Sequence, residues 1–156
     1  MGRAGMKSND SRRWKNNPHL KVSPEYIDAI FDYLAEHKIN MYRFSSDIAP
    51  YATHPDMPQF HRMVEESDPE LRAIGRTATS LDLPLSFHPS QFVLLNSSDP
   101  VLTDKSIWDF SSQAEMLDRM ELGPEAVMVA LGNGFTDTVV GAETPEHPFP
   151  SVTVTV

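Results

Sequence analysis

From residue 23 onward the chain repeats one pattern, an apolar stripe at helical spacing followed by a break and a short unbroken apolar run. Ser23 suits an N-cap and Pro24 a first helical position. Ile27, Ile30, Phe31 and Leu34 then follow at i, i+3, i+4 and i+7, which predicts a helix with one apolar face. A strand is predicted over residues 39–44. The second unit opens at Asp68-Pro69-Glu70, carries Leu71, Ile74, Ala78 and Leu81 at helical spacing, and passes into a strand over residues 83–88. The third opens at Asp99-Pro100 and shows Ile107, Phe110, Ala114 and Leu117. It is predicted to stop at Gly123-Pro124, ahead of an apolar run over residues 126–131.

Counted from Ile39, Leu83 and Ala126, the runs recur every 43 or 44 residues, about the span of one strand, one helix and two loops. That regularity predicts an α/β chain of βα units around a parallel sheet. A parallel sheet is covered on both faces, which is why its strands read as apolar runs and not as alternations. Functional side chains then belong beyond the carboxyl ends of the strands. Three regions are expected: a basic, flexible arm at residues 1–22, the βα domain at 23–131, and an irregular tail at 132–156. In the tail the alternation of Val with Ser and Thr over residues 151–156 suits an edge strand whose partner the sequence does not identify.

Charge and composition narrow the function. With 40% apolar residues in 156 the chain suits one soluble domain. It has no cysteine, which removes disulfides, thiolate metal sites and cysteine nucleophiles. No apolar run approaches membrane-spanning length and no secretory signal opens the chain, so a cytoplasmic protein without a membrane partner is expected. The net charge of −9 is uneven: residues 1–21 carry +5 and the remainder −14. The basic arm, with Trp14, either touches phosphates and stacks on a base or is a solubilising extension. The acidic remainder would repel nucleic acid unless bound cations compensate it.

The candidate chemistry sits at two strand ends. His88-Pro89 closes the second strand, and proline, lacking an N–H, turns Ser90, Gln91 and Phe92 out as a loop. His54-Pro55 lies in the loop after the first strand. Two imidazoles in one crevice suggest a divalent cation, with Asp47 and Asp56 as the nearest carboxylates; the competing reading is a pair of structural or surface histidines. His19, His37, His61 and His147 are read as solvated.

The block Tyr42-Arg43-Phe44-Ser45-Ser46-Asp47, the His54-Pro55 loop and the run from Ser86 to Ser97 together resemble the ultraviolet-damage endonucleases. The resemblance spans residues 23–129. It implies a partial TIM (β/α) barrel, three to four βα units of an eight-unit fold. It also implies divalent metal ions, manganese above all, with magnesium or zinc as alternatives, and nicking of double-stranded DNA on the 5′ side of ultraviolet photoproducts. His54 and His88 would be metal ligands, and Gln91 and Phe92 the lesion-probing pair, with phenylalanine where the family often has tyrosine. The alternative for Phe92 is a core lid. No catalytic acid or base is singled out.

The likeness stops at Ala130-Leu131, where a third histidine should end the strand. A whole barrel needs about 250 residues, so a fragment or a frame-shifted product is expected, with sheet edges and an apolar inner face laid open. Two rival readings stand beside the nuclease: a barrel enzyme related to sugar isomerases or apurinic-site nucleases, and a DNA-binding remnant that cuts nothing.

Overall fold

The structure, a computed structural model, describes residues 19–22, 24–90, 92–124, 126–129 and 153–155. Four helices, α1 (Pro24–Glu36), α2 (Met63–Glu66), α3 (Asp68–Ser80) and α4 (Pro100–Arg119), accompany four short strands, β1 (Tyr42–Phe44), β2 (Leu85–Phe87), β3 (Val127–Val129) and β4 (Thr153–Thr155). The strands form one sheet in chain order, each pair parallel, as the repeat predicts. β4 falls within the closing Val, Ser and Thr alternation, and its partner is β3. None of the described helices is long and apolar enough to cross a membrane.

The predicted units are present, with shorter strands and two corrections of extent. Residues 39–41 precede β1 outside the ladder, where Ile39 and Met41 are exposed. α4 ends at Arg119, several residues before Gly123-Pro124. In place of glycine stops, the helices α1, α3 and α4 are each followed by a residue in the left-handed region: Lys38 (φ 56°), Asp82 (φ 50°) and Glu121 (φ 54°). No glycine marks these turns, so the helix ends lack the usual local signal in the sequence. Between β1 and α3 the sequence showed only a loop; the structure has two 3-10 turns, Ser46–Ile48 and Pro58–Phe60, and the single helical turn α2.

The core lies on the helix side of the sheet. Register places Phe44 beside Phe87 and Phe87 beside Met128, all buried on one face. Phe31 of α1 meets Tyr42 edge-on, Tyr42 meets Phe44, and Phe44 stacks on Phe87 at 5.0 Å. This ladder of rings joins α1 to two strands, and burial raises the Tyr42 phenol above its ordinary pKa. The opposite face reads Arg43, Ser86 and Val127 at matching register, because side chains alternate along a strand. At these three positions the second face carries two polar residues and one valine, where the sequence predicts an apolar face.

Asp68, at the start of α3, accepts from Arg72 Nε at 2.7 Å and from Arg119 Nη1 at 2.8 Å, tying α3 to the end of α4. Arg72 also pairs with Glu121, and Arg119 with Glu115. The Arg72 hydrogen bond, with Arg119 acting in the same direction against the effect of burial, holds the Asp68 carboxyl below the ordinary carboxylate range. A lowered native pKa means that the unfolded chain binds more protons in acid. The contribution of Asp68 is thus complete above the ordinary carboxylate pKa and is lost as the pH falls through the lowered value. Urea midpoints followed from neutral to acid pH are expected to fall less steeply in Asp68→Asn than in the parent chain.

Candidate functional site

The loop after β2 is fastened at both ends and exposed between them. His88 and Pro89 leave the strand, and Pro89 is buried. The N–H of Val93 donates to the Ser90 carbonyl at 2.9 Å, while the Val93 side chain enters the core. The N–H of Leu94 then donates to Oγ of the buried Ser106, on α4, at 2.9 Å. Farther on, Asp99 caps α4 by accepting from the N–H of Val101 at 3.0 Å, and Thr103 Oγ1 returns to the Ser97 carbonyl at 3.1 Å. Between these anchors Phe92 is 72% exposed. A core-lid role for Phe92 is therefore set aside. Gln91, the other member of the expected pair, lies outside the described residues.

The two expected metal ligands are half-buried, and their hydrogen bonds select opposite tautomers of the neutral ring. His88 Nδ1 lies 2.7 Å from the Pro89 carbonyl oxygen, which can only accept, so in the neutral ring Nδ1 carries the proton and Nε2 keeps its lone pair. A metal-binding histidine is commonly fixed in that way, its other nitrogen donating to a carbonyl. His54 Nδ1 instead accepts from the N–H of Asp56 at 3.2 Å, which leaves the proton of the neutral ring on Nε2. His88 thus fits a cation as it stands, whereas His54 fits one through Nε2 only after giving up the Asp56 bond. Asp56 meets His54 through its backbone, and its carboxylate side chain is exposed. Among the described residues no group of three or more His, Asp or Glu side chains comes together as a metal site.

His61, read from the sequence as solvated, is corrected to a half-buried support of the first loop. Its Nε2–H donates to the His54 carbonyl at 2.8 Å, and its ring meets Trp108 of α4 edge-on at 4.8 Å. The neighbouring Thr53 donates to the Asp109 carboxylate, also on α4. The Tyr51 ring packs on Phe60 from a backbone held at φ 64°, a left-handed conformation unusual for an aromatic residue. The His54 loop is therefore held by α4 from two sides. No periodicity could reveal this, because His61 is bound to a backbone carbonyl and Thr53 to a residue 56 positions away.

Comparison with known proteins places these features in context. The model of the family described as UV-endonuclease UvdE matches residues 21–146. A protein of Bacillus velezensis (strain DSM 23117 / BGSC 10A6 / LMG 26770 / FZB42) described as UV DNA damage endonuclease is 36% identical over 106 residues, covering 67% of this chain and 32% of the relative. A protein of Bacillus anthracis (strain A0248) with the same description is 36% identical over 98 residues, covering 63% of this chain and 30% of its own length. The chain spans about a third of the length of these curated relatives. Among solved structures, the Crystal Structure of SacUVDE is similar in fold, with a TM-score of 0.59 at 22% identity over 83% of this chain and 43% of that one.

Proposed function

Because the chain belongs to the UV-endonuclease UvdE family, we propose that it serves in a DNA-repair endonuclease that nicks duplex DNA on the 5′ side of ultraviolet photoproducts, its parallel sheet forming part of a (β/α) barrel. The observation that carries the reading is Phe92, an aromatic ring 72% exposed between two anchored stretches of one loop. An apolar ring costs free energy when it is left in water, and insertion between bases offsets that cost. A wedge of this kind enters most easily where stacking is already weak, so photodamaged duplex admits Phe92 at lower cost than sound duplex. Gln91 is proposed as its partner in that contact.

His88 is proposed to hold a divalent cation through Nε2, and His54 to join it once its proton passes from Nε2 to Nδ1. Manganese is the proposed ion, with magnesium or zinc as alternatives. Such a cation supplies Lewis-acid polarisation of a phosphate and a water of lowered pKa. The protein orients the His88 ring through the Pro89 carbonyl and keeps the His54 loop against α4 through His61 and Thr53. A cytoplasmic location is proposed with this role.

A second reading, DNA binding without cutting by this chain, is favoured by the described residues gathering no set of three metal-ligating side chains. One pair of assays separates the two. In manganese, irradiated plasmid is expected to be nicked in preference to unirradiated plasmid, and His88→Ala is expected to reduce nicking by at least the roughly 10–100-fold that loss of even an outer-shell metal partner produces. Phe92→Ala is expected to bring the binding of irradiated duplex down to that of intact duplex. Equal cutting of both plasmids would overturn damage recognition; preferential binding with no nicking in any metal would leave the non-cutting reading.

A further inference from the structure

Behind the His54 loop, between the turn at residues 46–53 and the middle of α4, lies a cavity of about 30 Å³. Its polar lining is Ser46, Thr53, Asp109, Ser112 and Gln113, with Met116 among the apolar residues. Gln113 is only 5% exposed, yet its Oε1 has no hydrogen-bond partner. Asp109 brings a carboxylate that accepts from Thr53 Oγ1. No basic side chain lines the cavity. A buried carbonyl oxygen without a donor is costly, and such a group in a native fold calls for a partner.

We propose that this cavity binds one monovalent alkali-metal cation, held by the Asp109 carboxylate, Gln113 Oε1 and the hydroxyl oxygens of Ser46 and Ser112. Two properties of the lining select that ligand. The polar side chains supply hard oxygen donors, which suits cations of the alkali and alkaline-earth type and not soft transition metals. One carboxylate with no neighbouring base balances a single positive charge. Magnesium or calcium would bring a second positive charge that one carboxylate does not balance. A water molecule would fit and could donate to Gln113, but it would leave the charge of Asp109 uncompensated.

The bound ion would join the turn that carries Thr53 to α4 beside the existing Thr53–Asp109 bond. This site is independent of whether the chain cuts DNA.

The test is the unfolding midpoint of the full chain in sodium, potassium and choline chlorides at one ionic strength. An ion that binds only the folded chain raises the folded-to-unfolded ratio about tenfold when present at about ten times its Kd, and the effect grows with concentration. A concentration-dependent rise in sodium or potassium over choline, absent in Gln113→Met, is the expected result. Equal midpoints in all three salts would overturn the proposal and leave water as the occupant. A rise that persists unchanged in Gln113→Met would equally overturn it. Should Gln113→Met fail to fold, Asp109→Asn and Ser112→Ala take its place: the first is expected to abolish the cation effect and the second to weaken it, and an unchanged effect in both would again overturn the site.

Discussion

Alanine at position 75 is expected to destabilise the chain by about 3 kcal/mol, at the upper end of what overpacking usually costs. The sign is the informative part. In an exposed helix interior, replacing glycine by alanine stabilises by about 1 kcal/mol, because glycine loses more backbone freedom on folding. Gly75 is inside α3 and buried, where a Cβ would lie 2.7 Å from the carbonyl carbon of Met120 and closer still to its oxygen. Those atoms are backbone at the end of α4, so no rotamer change relieves the contact and the two helices must separate. The Asp68–Arg119 and Arg72–Glu121 pairs cross the same seam and would be stretched with it. Equilibrium urea unfolding of Gly75→Ala beside the parent measures the loss; a midpoint equal to or above that of the parent would show that α3 and α4 do not meet as described.

Phe87→Ala is expected to cost about 3–5 kcal/mol, the range for removing a buried aromatic ring and leaving a cavity. Phe87 is completely buried, stacks on Phe44 at 5.0 Å and sits beside Met128 in the next strand. Three strands therefore lose a common contact at once. For a domain that holds only about 5–15 kcal/mol in total, this is a large share. Because His88 follows directly, the same substitution is expected to loosen the second loop, and Phe92→Ala, at an exposed tip, to leave stability nearly unchanged. The pair separates the ring that builds the sheet from the ring proposed to meet DNA. A Phe87→Ala chain as stable as the parent would place the core elsewhere.

The candidate site was legible in unequal parts. Pro89 announced the end of β2, and the polar-aromatic run after it announced an exposed loop; the structure bears this out for Phe92, whereas Gln91 lies outside the described residues. The direction in which each imidazole presents its lone pair was not legible, since it depends on whether Nδ1 meets a carbonyl oxygen, as in His88, or an N–H, as in His54. Both partners are backbone groups, identical in every residue type except for proline's missing N–H. The support that His61 gives the loop was not legible for the same reason, since its partner is the His54 carbonyl.

By itself the sequence determined the α/β class, the order of helix and strand, and the loops that follow the strands. Apolar periodicity and proline position act within a few residues, and those local preferences survive folding. Family membership was legible too, because the run from Ser86 to Ser97 needs a particular order of residue types. Only the tertiary structure decided the closeness of α3 to α4 at Gly75 and the two-sided support of the His54 loop. Each of these depends on pairs of groups far apart along the chain, and a contact between them leaves no period to read.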